Sequence, residues 1–191
     1  MASRLRNHGT RCIAFLRGIN VGGKKLIKMD DLRRMIESLG FKNVKTFIQS
    51  GNVIFDSPET DRKALVRKIE RKLLKVFGHQ VTVVLLTLGE LKDVLKSDPF
   101  KKTKPGADVM MFVAFLAAEP ETKTKLPLVS AMENLEVLAI KHRAAFILCH
   151  RKNNGFFAFP NNFCEKQFGV AATTRNWTTV NKIVALAAAE A

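Results

Sequence analysis

Two short strands meet tightly at Ser50-Gly51-Asn52, in the stretch "VKTFIQSGNVIFDS", and helical stretches flank them on both sides. No other feature limits the fold of this chain as much. Gly and Asn tolerate the positive φ that a short reversal needs, so the two runs read as a hairpin. Ahead of it, 12–17 reads as a strand and "MDDLRRMIESLG" as a helix. Leu32, Met35, Ile36 and Leu39 fall at helical spacing there, Asp30 and Asp31 suit the positive helix end, and Gly40 suits its close. Behind the hairpin, 61–77 reads as a helix, 81–86 as a strand and 88–96 as a helix that Thr87 can cap. The order β-α-β-β-α-β-α is a split βαβ of the ferredoxin-like kind with an added helix.

Residues 98–107 concentrate Pro, Gly and Lys and read as a linker. Beyond them the pattern returns at an offset of roughly ninety residues. "VMMFVAFLA" reads as a strand and "TKTKLPLVSAM" as a short helical or irregular stretch interrupted by Pro127. Stretches 135–141 and 145–151 form a second hairpin around His142-Arg143-Ala144, and "NNFCEKQFG" and "TTVNKIVALAAA" are helices. The fold class is therefore α+β, with two split-βαβ (ferredoxin-like) subdomains arising by internal duplication. The expected organisation is a disordered basic tail over 1–11, subdomains over 12–97 and 108–191, and the linker between them.

The segment after the first strand, "RGINVGGKK", nearly matches the phosphate-binding P-loop. Three features argue against it. Lys25 stands where that loop needs a magnesium-binding hydroxyl, Leu26-Ile27-Lys28 separates the glycines from the helix, and the helix opens on two carboxylates. What remains is a Gly-rich connection, or an anion-binding turn using the N–H groups of Gly22 and Gly23 with Arg17, Lys24 and Lys25.

The net charge of +15 favours polyanionic partners; the plain alternative is that it only keeps the chain soluble. Much of it sits on "DRKALVRKIERKLLKVF". Leu65, Val66, Ile69, Leu73, Val76 and Phe77 share one arc of that helix, and Lys63, Arg67, Lys68, Arg71, Lys72 and Lys75 share the opposite one. Glu70 is the single acidic residue between Arg62 and Phe77, so this face is not neutralised within the helix. It reads either as a solvated surface or as a contact for a phosphate backbone. An RNA-recognition motif fits poorly: its stacking strands offer Phe15 and Phe55 alone, and the chain has no Tyr.

Cys12, Cys149 and Cys164 are odd in number and widely spaced, which rejects a disulfide scaffold and a structural metal. His142 and His150 flank one strand without an acidic partner in sequence. Ser50 lacks the setting of a nucleophile elbow. Trp177 reads as a packing anchor, and "NNGFFAFPNNF" as a loop that packs its aromatics against the body or meets a partner. No cofactor or metal is expected, no stretch is long enough for a membrane helix, and a cytoplasmic location is expected.

"AFLRGINVGGKK", "MDDLRRMIESLGF", "VKTFIQSGNVIFDS" and "VAATTRNWTTVNKIVAL" together resemble the domain-of-unknown-function family numbered 1697, from about Cys12 onward. The resemblance implies a cytosolic, bacterial-type protein of two α+β subdomains and implies no activity. The matching positions are Arg17, Gly18, Asn20, Gly22, Gly23, Gln49, Ser50, Gly51, Asn52, Arg175, Asn176 and Trp177. Many members carry a "PNG-G-SKL"-like phrase where this chain has "NNGFFAFPNNFCEKQFG".

The candidate anion site accordingly comprises Arg17, Asn20, Gly22, Gly23, Lys24, Lys25, Gln49, Ser50, Asn52, Arg175, Asn176 and Trp177, with a small anionic ligand as partner. The alternatives are non-specific nucleic-acid binding by the basic helix and an enzyme with its site between the subdomains.

Overall fold

The computed structural model describes residues 9–103, 106–121 and 124–189. The chain divides into two compact units, the first ending at Leu88 and the second running from Gly89 to Ala189.

The first unit runs β1 (Thr10–Leu16), α1 (Met29–Glu37), β2 (Lys42–Phe47), β3 (Asn52–Ser57), α2 (Arg62–Phe77) and β4 (Val83–Thr87). Its four strands are antiparallel in the order β2-β3-β1-β4, the ferredoxin-like arrangement. Strand β1 begins at Thr10, so Thr10 and Arg11 belong to the sheet and not to a disordered tail; residues 1–8 of that expected tail lie outside the described residues. Arg11 pairs in register with Asp56 and donates to its Oδ1 at 3.0 Å, both side chains being 7% exposed. Asn43 Nδ2 donates to the other carboxylate oxygen at 2.6 Å, so one buried carboxylate ties β1 and β3 to the start of β2.

Cys12, Ala14, Leu16, Val53, Phe55, Val83 and Leu85 form the sheet face packed with Leu32, Met35 and Ile36 of α1 and Leu65, Ile69 and Leu73 of α2. Phe41 stacks on Phe55 with ring centres 4.5 Å apart. Phe15, Ile13 and Ile54 on the alternate positions are fully buried as well. Neither Phe15 nor Phe55 is available as a platform for stacked bases.

The second unit contains all of α3 (Leu88–Ser97) but its first residue, a 3₁₀ turn (Pro99–Lys102), β5 (Val109–Leu116), β6 (Leu128–Ser130), β7 (Leu135–Lys141), β8 (Ala144–His150), α4 (Asn161–Phe168), β9 (Ala172–Asn176) and α5 (Trp177–Ala188). Its sheet order is β6-β7-β8-β5-β9, and β7-β8-β5-β9 repeats β2-β3-β1-β4. The duplication thus survives in the strand order while the layers differ. No counterpart of α1 is present among the described residues, and the stretch expected as a Pro127-interrupted helix supplies the edge strand β6 instead. Strand β9, "ATTRN", is polar and was not expected as a strand; pairing with β5 and burial of Ala172 to Arg175 make it one.

Within the expected linker, Phe100 is 3% exposed and meets Phe146 and Trp177 edge to face at 5.7 and 5.2 Å. The hairpin turn between β7 and β8 is the pair His142-Arg143, both with positive φ. Among the described residues no helix is long and apolar enough to cross a membrane.

Candidate functional site

Helix α2 carries the densest free charge of the first unit. Asp61 caps it, its Oδ1 accepting from the N–H groups of Lys63 and Ala64 at 2.8 and 3.2 Å. Gly78 ends it in the left-handed conformation, φ 69°, with its N–H returned to Leu74 O. Sixteen residues stay helical because Leu65, Ile69 and Leu73 are buried against the sheet. Val66 and Phe77 pack partly on the same core, but Val76, expected on the buried arc, is 50% exposed.

The opposite side of α2 meets the end of α1 and its following turn in a groove of about 430 Å³, lined by Arg67, Lys68, Arg71, Lys72, Lys75 and Leu39. Lys68 is held there: its ammonium donates to Leu39 O at 3.0 Å and lies 5.2 Å from the centre of the Phe41 ring. Among the described residues, Arg67, Arg71, Lys72 and Lys75 have no ion-pair or hydrogen-bond partner for their side chains. Lys63 is exposed on the same helix but does not line the groove. Glu70 is turned away from this side, its Oε1 accepting from Val83 N–H of β4 at 2.8 Å. The helix's own carboxylate is therefore spent on the sheet, and the groove keeps its full positive charge. Arg67, Arg71 and Lys75 follow at i, i+4 and i+8, about 6 Å apart along the axis.

The loop from β1 to α1 is a small hairpin and not a phosphate cradle. Val21 bridges Lys24 across Gly22 and Gly23, which have φ of 57° and 73°, and this tip is exposed. Asn20 fastens the loop: its Nδ2 donates to Ile27 O and Gln49 O, both at 2.9 Å, and its Oδ1 accepts from Ile27 N–H at 2.8 Å. Lys25 donates to Gln80 O at 2.7 Å. Arg17 donates its backbone N–H to Thr82 O at 2.9 Å. Asn52, fully buried, donates to Phe47 O at 2.8 Å and to Ser50 Oγ at 3.1 Å, holding the hairpin closed. The structure thus joins the Asn20 and Gln49 loops through backbone groups. Lys24 and the Gln49 side chain stay exposed, and neither makes a side-chain hydrogen bond among the described residues.

Arg175, Asn176 and Trp177 belong to the second unit. Arg175 is 6% exposed and donates to Thr173 Oγ1 and Thr174 O, each at 2.8 Å. Burial lowers its pKa to about 10, which leaves it charged at neutral pH. Asn176 caps α5 through Thr178 N–H at 2.9 Å, and Trp177 packs on Phe100 and Phe146. In "NNGFFAFPNNF", Phe157 lies under Arg151 at 4.9 Å, whereas Phe156 and Phe159 are 72% and 63% exposed. Cys149 and Cys164 are buried thiols whose pKa values burial pushes up to about 12, so neither forms a thiolate near neutral pH. Among the described residues no group of His, Cys, Asp or Glu could hold a metal ion.

Comparison with known proteins adds the family and the fold. No curated protein matches. A solved structure described as a conserved bacterial protein from Streptococcus pneumoniae is similar over 93% of this chain and 98% of that one, with 24% identity and a TM-score of 0.65; at that identity the likeness bears on fold alone. The family described as "protein of unknown function (DUF1697)" matches residues 10–146, from β1 to the start of β8, and the chain belongs to that family.

Proposed function

We propose that this protein binds the phosphate backbone of nucleic acid, without reading sequence, through the basic groove on α2. One observation carries the reading: four cations with no side-chain partner among the described residues line a single groove, while the helix's only carboxylate is bonded to the sheet. A solvated basic face ordinarily scatters its charge among i, i+4 partners. Among the described residues no such pair lines the groove, and Arg67, Arg71 and Lys75 form one row along it at a rise of about 6 Å. The alternative anion site at the Gly22–Lys25 turn has less support, because Lys25 and Asn20 already serve backbone carbonyls.

Affinity for a short labelled oligonucleotide, measured by fluorescence anisotropy, should fall with salt at a log–log slope of about −3 for four phosphate contacts. Replacing Arg67, Arg71 and Lys75 by Glu should weaken binding at least tenfold and flatten that slope by about 2. Binding that is unchanged in a variant of normal melting temperature would refute the assignment.

A further inference from the structure

Beside the groove, at the other end of the α1–α2 pair, lies a second pocket of about 420 Å³, within the range of small-molecule sites. Leu26, Ile27 and Phe77 supply its apolar wall, and Lys28, Asp31 and Gln49 its polar groups. The Gln49 side chain is exposed and makes no hydrogen bond among the described residues, so it offers one donor and one acceptor side by side. Asp31 pairs with Arg34 at 2.5 Å. An aromatic ring, an unengaged amide and a carboxylate lining one cavity suit a flat heterocycle with a hydrogen-bonding edge.

The helix links this pocket to the groove. Arg71, Leu74 and Phe77 follow at i, i+3 and i+6, so each is the surface neighbour of the next. Leu74 is 52% exposed, an apolar surface set between the cations and the pocket. Phosphates resting on Arg67 and Arg71 therefore lie one or two side chains from a cavity suited to a base. The path curves about a third of the way around the helix, which a stiff duplex does not follow and a single strand does.

Resting on the phosphate-backbone reading above, we infer that the ligand is a single-stranded nucleic acid, one of whose bases enters the Phe77–Gln49 pocket. Stacking on a ring is tolerant of base identity, which agrees with binding that does not read sequence.

The test uses the full chain with three probes: a single-stranded hexanucleotide to decanucleotide, the same sequence as a duplex, and inorganic polyphosphate. The single strand should bind about tenfold more tightly than the duplex at equal salt. Leu74→Ala and Gln49→Ala alter exposed side chains; each should weaken single-strand binding several-fold and leave polyphosphate binding unchanged. If the three probes bind alike and neither variant matters, the base pocket is refuted while the groove stands. If no probe binds, both readings fall.

Discussion

Single residues decide how closely the loops of the first unit approach one another. Gly51 has φ of 77°, and a Cβ there would lie 2.6 Å from Ile19 Cδ1 and 2.9 Å from Leu16 Cβ. Gly51→Ala should therefore cost about 2 kcal/mol or more, from backbone strain and overpacking together, and denaturant unfolding will measure it. Asp56→Asn tests the buried pair: it removes the charge that faces Arg11 at 3.0 Å and should cost about 3–5 kcal/mol in the same unfolding measurement. Glycine at 51 was legible as a turn residue, but its contact with Ile19 was not, because nothing in sequence announces which distant side chain a turn will press against. The buried thiols give a pH signature. Cys149 and Cys164 stay protonated in the fold up to about pH 12, whereas an unfolded thiol ionises near 8.5. Between pH 9 and 10 the folded state holds more protons than the unfolded one, so stability should fall by about 1.4 kcal/mol per pH unit for each cysteine. Cys164→Ala should lessen the overall slope by about 1.4 kcal/mol per pH unit in unfolding titrations, whatever its effect at pH 7. A slope left unaltered would show that these thiols are not what titrates.

At the level of elements, the two repeats keep the same four-strand order but part company in their helices. Helix α2 has sixteen residues and a basic face; its counterpart α4 has eight, of which Lys166 is the only cation. The proposed groove is thus a property of one repeat alone. Exchanging Arg67, Arg71 and Lys75 for Glu should change stability by no more than about 0.5 kcal/mol each while binding is lost, since all three are exposed. The amphipathic pattern of α2 was clear from 61–77, because burial of one side and charge on the other repeat with the helical period. The strand β9 was not clear: Thr173, Thr174 and Arg175 look like surface residues until pairing with β5 buries them. The edge strand β6 escaped for a related reason, since three residues carry too little pattern to declare a strand and only β7 recruits them.

Across the whole molecule, a net charge of +15 raises encounter rates with any polyanion, so local contact must be separated from the general field. Lys101, Lys102 and Lys182 are exposed and lie outside the groove. Replacing all three by Glu changes the net charge as much as the α2 triple variant does. It should reduce affinity only about twofold, seen mainly as slower association, against a loss of tenfold or more from the groove. Equal losses would mean that total charge, and not α2, governs binding. Sequence by itself determined the α+β class, the strand–helix order of the first repeat, the amphipathic basic helix and the failure of the P-loop pattern, because periodicity, turn chemistry and local spacing act over short ranges. Only the tertiary structure decided that Glu70 faces β4, that Asn20 and Lys25 serve carbonyls, and that Phe77 shares a pocket with Gln49. Those outcomes depend on which residues distant in sequence become neighbours, and burial and hydrogen bonding select among the same side chains only once the sheet has assembled.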